Sequence, residues 1–130
     1  MIEFSVNMVN RPGQLATLAR ELGEAGVNIE TLAAFSNGPE AYLKIVVDND
    51  ETARIVLKRA GVAFDERRIV SATLHDQPGA LAQMAEALAA TGVNIDAMYL
   101  LDAEGGELRF ALAVDDPEKA DKHFEDREKG

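Results

Sequence analysis

Arg11-Pro12-Gly13-Gln14-Leu15-Ala16 and Gln77-Pro78-Gly79-Ala80-Leu81-Ala82 are one stretch written twice. Each opens an apolar-periodic segment that closes on a second repeated stretch, Ala25-Gly26-Val27-Asn28-Ile29 and Thr91-Gly92-Val93-Asn94-Ile95. The offset is constant, since 78 − 12 = 66 and 94 − 28 = 66. Two matched turns at one offset, with the same helix between them, mark a duplicated unit. Polar loop residues then stand in equivalent places twice, and loops of this kind are where small-molecule sites are commonly built.

Outward from the first stretch, Ile2, Phe4, Val6 and Met8 alternate with Glu3, Ser5 and Asn7, the period of a half-buried strand. After Asn10 and the Arg11-Pro12-Gly13 turn, Leu15, Leu18, Ala19 and Leu22 recur at helical spacing, and Gly26 stands just past the end. A second strand is predicted over 29–35, with Ile29, Ala33 and Phe35 on one face. Ser36-Asn37-Gly38-Pro39 reads as a turn. Ala41, Leu43, Ile45 and Val47 give a third strand. Asp50 is a suitable N-cap for a helix lined by Ala53, Val56, Leu57 and Ala60, and a short fourth strand begins over 62–65.

The second unit repeats the order. Val70, Ala72 and Leu74 share a strand face, and Leu81, Met84, Ala85 and Leu88 repeat the helix. Strands follow over 95–101 and 108–114, with a turn over 102–106. Asp116-Pro117-Glu118 then starts a helix, an N-cap followed by proline in the first turn. Here the offset slips to 67, from Val47 to Val114, and a turn is the cheapest place for the extra residue. After Phe124 only a charged tail remains, so the second unit lacks a fourth strand. An open sheet edge tends to be paired or covered. A second copy of the chain, giving a homodimer, is the expected cover. Units of 1–67 and 68–130 leave almost no linker, and the halves are expected to pack together.

Composition narrows the function. The 130 residues carry a net charge of −10 and no cysteine. Disulfides, thiol catalysis and zinc–thiolate sites are excluded. The acidity, with no basic cluster beyond Arg67-Arg68, argues against nucleic acid. No apolar run reaches membrane-spanning length and no secretory signal is visible, so a cytoplasmic protein is expected, with no membrane partner. His75-Asp76 are strand neighbours facing opposite ways, and His123 lies near Phe124 on a helix. Asp102, Glu104, Asp115 and Asp116 read first as turn and cap carboxylates. No phosphate loop, zinc-protease or nucleophile-elbow motif is present. No catalytic residue, metal or cofactor is expected, and the chain does not read as an enzyme.

A β-α-β-β-α-β unit of about sixty-five residues, with Asn-Arg-Pro-Gly-x-Leu before its first helix and Gly-Val-Asn-Ile before its second strand, resembles the ACT domain. The first unit is most similar to the serine-binding ACT domain of phosphoglycerate dehydrogenase. The stand-alone pair resembles small bacterial tandem ACT proteins described as acetolactate-synthase-related. The resemblance implies an α+β fold: two ferredoxin-like units, antiparallel sheets with helices on one face. It also implies a regulatory module that binds an amino acid or related metabolite near a unit–unit interface and signals to a metabolic enzyme by protein contact. The alternative is a ligand-free interaction or dimerisation subunit of an amino-acid biosynthetic enzyme.

Carried over residue by residue, the ligand-binding candidates are Asn10, Pro12, Gly13, Gln14, Leu15 and Asn28. In the second unit they are Asp76, Pro78, Gly79, Ala80, Leu81 and Asn94. Unpaired first-turn N–H groups and the positive end of the helix dipole suit an amino-acid carboxylate. Two readings of Asn28 stand together, as a ligand contact and as part of a helix stop. Where the serine-binding pattern has a histidine two residues before the motif asparagine, this chain has Met8 and Leu74, and Asp76 replaces the asparagine in the second unit. The first site keeps more of the pattern, and its side-chain selectivity is expected from neighbours such as Met8, Leu15 and Phe35.

Overall fold

In the computed structural model, which describes residues 1–129, the chain divides into two compact units, Ile2–Arg67 and Met1 with Arg68 onward. The first runs β1 (Ile2–Val9), α1 (Gln14–Glu24), β2 (Ile29–Asn37), β3 (Glu40–Val47), α2 (Asp50–Ala60) and β4 (Ala63–Arg68). Its sheet has the order β2-β3-β1-β4. The second runs β5 (Val70–His75), α3 (Ala80–Ala90), β6 (Ile95–Glu104), β7 (Glu107–Val114) and α4 (Pro117–Lys129), with the sheet order β5-β7-β6. The second sheet thus has three strands against four, as the sequence predicts. No helix is long and apolar enough to cross a membrane among the described residues.

Each core lies between one sheet face and its two helices. Phe4, Val6 and Met8 of β1, Leu43 and Ile45 of β3, Leu18 and Leu22 of α1, and Val56 and Leu57 of α2 form the first. Val70, Ala72, Leu74, Met84, Leu88, Leu112 and Val114 form the second. The large side chains of the predicted helix stripes are the buried ones, with a single exception in each unit. Leu15 and Leu81 stay 42% and 53% exposed.

The helix ends explain the second repeated motif. Gly26 takes φ 80°, its N–H donates to the Gly23 carbonyl and the Val27 N–H to Leu22. Gly92 and Val93 repeat both bonds onto Ala89 and Leu88. This six-to-one and five-to-two pair is a Schellman stop, for which glycine is the natural left-handed residue. Val27 and Val93, each 5% exposed, then turn the chain back into the core.

Several expectations are corrected. The α2 cap is Asn49, whose side chain accepts from the Thr52 N–H at 3.1 Å, and Asp50 is the first helical residue, where its charge suits the dipole. The turn after β2 is only Gly38-Pro39, with Gly38 at φ 62°, so Ser36 and Asn37 belong to the strand. A bulge between Ile29 and Thr31 puts Ala33 and Phe35 on the sheet face opposite Ile29. Phe35 there stacks on Tyr42, with ring centroids 5.3 Å apart.

The extra residue of the second unit is not in the turn. Gly105-Gly106 is another two-residue turn, and the register instead slips between Leu100 and Asp102, so Leu101 bulges from β6. Strand β4 runs to Arg68, and only Ile69 separates it from β5. The charged segment after Phe124 is helical through Lys129. Glu3, which the alternation places among outward polar residues, is fully buried, with the Lys44 ammonium at 3.3 Å and the Ser5 hydroxyl donating to it.

Candidate functional site

The two Pro-Gly stretches build two similar corners. After β1 the Arg11 N–H bonds the Val9 carbonyl, the Gln14 N–H bonds Arg11, and Gly13 at φ 90° caps α1. After β5 the Gln77 N–H bonds His75, the Ala80 N–H bonds Gln77, and Gly79 at φ 88° caps α3. Neither cap has a side chain on the first-turn amides. The other two helix starts are capped, by Asn49 and by Asp116, which accepts from the Lys119 N–H. The left-handed φ explains the glycines, because a Cβ at either would meet nothing within 4 Å. The open space beside the backbone also leaves room for close approach.

In the first unit this corner opens into a cleft of about 260 Å³ between the start of α1 and the β2–β3 hairpin. Its floor is mostly apolar, from Met8, Ala34, Ala41 and Leu43 with Ser36 on the same face, and its rim carries Asn10, Arg11 and Gln14. Leu15 and Phe35 stand at the opening, Phe35 with 56% of its surface exposed. Asn10 ties the corner together. Its side-chain N–H donates to the Gly38 carbonyl at 2.9 Å and its backbone N–H to Pro39 at 2.9 Å. That leaves its carbonyl Oδ1 without a protein partner among the described residues. Arg11 likewise has no ion-pair partner among the described residues. Tyr42 donates to the Glu40 carboxylate, which raises its pKa above the ordinary phenol value, so the ring stays neutral at the cleft wall.

Of the first-unit candidates, the cleft is lined by Asn10, Gln14 and Leu15, with Pro12 and Gly13 in the loop that bounds it. Asn28 is elsewhere in the unit. It lies seven residues up the strand from Phe35, about 20 Å at strand spacing. Its N–H donates to the Asp48 carboxylate and its carbonyl accepts from the Asp48 N–H, which pins the α1–β2 loop to the β3–α2 loop. Asn94 and Asp115 repeat both bonds. Sequence reasoning passed over Arg11, Ala34, Ser36, Ala41 and Tyr42. The hairpin pairing that sets Ser36 opposite Ala41 and Phe35 opposite Tyr42 brings most of them to Asn10.

In the second unit Asp76 keeps the backbone half of the clip, donating its N–H to the Gly106 carbonyl at 2.8 Å. A carboxylate has no hydrogen to donate to the Gly105 carbonyl, the equivalent of Gly38, so the side-chain half is lost. Pro78, Gly79, Ala80 and Leu81 occupy the equivalents of 12–15. The outer-face partners of Phe35 and Tyr42 become Asp102 and Arg109, an ion pair at 2.6 Å. His75 is exposed. His123 lies edge-on to Phe124 at 5.4 Å, with its Nε2 buried and unbonded. No cluster of three or more His, Asp or Glu side chains able to hold a metal occurs among the described residues.

Two ferredoxin-like units in tandem, each turning from its first strand into its first helix through Pro-Gly, define a class of small α+β modules. The ACT domain family matches residues 2–61 and 68–129, and the chain belongs to that family twice over. No curated protein matches it in sequence. Solved structures share the fold. A Bacteroides thetaiotaomicron protein is 23% identical over 98% of this chain and 88% of its own, with a TM-score of 0.88. The ligand-free regulatory subunit of aspartate kinase from Thermus thermophilus is 20% identical over 95% and 87%, with a TM-score of 0.70. The corresponding subunit from Thermus flavus is 18% identical over 96% and 90%, with a TM-score of 0.67.

Proposed function

We propose that this protein is a regulatory module that binds an amino acid or related metabolite and acts on a metabolic enzyme by contact. The observation that carries the reading is the helix start left without a side-chain cap where it borders an open cleft. First-turn N–H groups favour a carboxylate, and Asn10 Oδ1 is available to an ammonium. Arg11 adds a cation at the rim. Asn28 and Asn94 enter the reading as contacts from a neighbouring unit or copy, since each lies away from its own unit's corner. A site completed by a neighbour couples binding to assembly. The chain acts without catalysis in this reading. The shared fold with aspartate kinase regulatory subunits makes enzymes of amino-acid metabolism the first partner class to test.

The test is thermal unfolding against a panel of amino acids. A ligand at a hundred times its dissociation constant adds about 2.7 kcal/mol, a shift of several degrees for a chain this size. One or a few amino acids raising the midpoint is the expected result. No shift with any compound would move the reading to a ligand-free interaction subunit. In Asn10→Ala, affinity should fall with little loss of fold.

A further inference from the structure

The two corners share a backbone and differ in the space beside it. Up to the Leu101 bulge, equivalent residues are 66 apart, and beyond it 67 apart. Ala34 of the cleft floor corresponds to Leu100, Ala41 to Leu108 and Leu43 to Phe110. Pairing supports the match, since Ala34 faces Leu43 across the hairpin and Leu100 faces Phe110. Phe110 is half-buried and packs against the second core. The polar rim changes in parallel: Asn10, Arg11 and Gln14 become Asp76, Gln77 and Ala80.

Resting on the ligand-binding reading, we infer that only the first unit carries a working site, and that it selects amino acids with an apolar side chain. Two alanines keep the first cleft open, whereas larger side chains stand at three of the four equivalent floor positions of the second, Met8 being matched by Leu74. The ligand's side chain would lie on Met8, Ala34, Ala41 and Leu43, where no charged group faces it and the Ser36 hydroxyl, opposite Ala41, is the one hydrogen-bonding group on that face of the hairpin. The rim groups remain for the α-amino and α-carboxylate ends. A charged or amide side chain placed on that floor would lose its water for at most that one hydroxyl. A hydrophobic pocket separates side chains differing by one methylene by about 10- to 200-fold, so the floor alone sets a measurable preference. The second unit then serves as scaffold or contact surface rather than as a second sensor.

The experiment is calorimetric titration of the full chain with L-leucine, L-methionine and L-valine, and with L-serine, L-aspartate and L-lysine. One apolar amino acid bound per chain, with the polar set at least tenfold weaker, is expected. Ala34→Leu, at an exposed strand position, and Ala41→Leu should each weaken binding tenfold or more while circular dichroism stays unchanged. Leu108→Ala should leave affinity and stoichiometry as they were. Two ligands per chain, preference for the polar set, or full affinity in Ala34→Leu would overturn the inference and leave the ligand-binding reading standing. No heat of binding with any of the six, together with no thermal shift across the full amino-acid panel, would overturn both.

Discussion

At the scale of single residues, Asn10 and Asp76 show how one atom separates the two corners. The Asn10 amide N–H holds the Gly38 carbonyl, and a carboxylate at that place cannot. Asn10→Asp should therefore cost about 1 kcal/mol, the net worth of a neutral hydrogen bond, read as a lower urea midpoint at unchanged slope. Gly13 makes a different demand. At φ 90°, with nothing near its missing Cβ, Gly13→Ala should cost about 1–2 kcal/mol from backbone conformation alone. An equal cost for Gly13→Asn would argue against that origin, because asparagine tolerates the left-handed region better.

Glu66 gives the acid limb of stability. The Arg54 guanidinium meets both its oxygens at 2.6 Å and holds its pKa below the ordinary carboxylate value, against a smaller opposing effect of burial. Because the folded pKa is the lower one, the stabilisation is complete above the unfolded carboxylate pKa. It is lost as pH falls through the folded value. Glu66→Gln should lower the thermal midpoint at neutral pH, where the pair's stabilisation is complete, and converge with the parent below the folded pKa, so that the fall across the acidic window is flatter. An unaltered acid limb in the variant would show that the pair contributes nothing.

At the scale of elements, the sequence was most readable where periodicity and stop signals agreed. Helices α1 and α3 follow from the spacing of Leu18 and Leu22, or Met84 and Leu88, together with a Gly-Val stop. The bulges were not readable. A bulge leaves composition unchanged and only reverses which face each later residue takes, so Ala33 and Phe35 were set on the wrong side with Ile29. The cleft stayed hidden for the same reason. Its residues come from β1, α1 and both hairpin strands, and only the register brings Ala34 and Ala41 toward Asn10. The extra residue in β6 can be tested directly. Deleting Leu101, a half-buried bulge residue, should restore the spacing of the first unit at small cost in melting temperature. Deleting Gly105 removes half of a two-residue turn and should be much more damaging. Equal losses would put the insertion back in the turn.

At the scale of the whole molecule, the strand edges are unequal. Strand β2 carries a bulge beside Ile29, β6 carries two, and β4 bears Asp65, Glu66, Arg67 and Arg68. Bulges and charges are the usual protection of an edge. Strand β5, Val-Ser-Ala-Thr-Leu-His, has neither, and pairs only with β7 among the described residues. If two such strands met antiparallel about Thr73, Thr73 would face its own copy and Ser71 would face His75, with no pair of acidic or basic side chains opposed. A two-fold pairing of identical edges closes on itself and stops at the dimer. A homodimer paired at this edge would be breakable without touching either core. Thr73→Lys puts two like charges near each other at that seam, and Thr73→Pro removes a backbone donor and stiffens the edge. Light scattering across micromolar concentrations should find a dimer in the parent chain and a lower mass in Thr73→Lys. The two variants should agree if the edge is the interface. A parent chain that stays monomeric at every concentration, or a dimer indifferent to both changes, would move the contact away from β5.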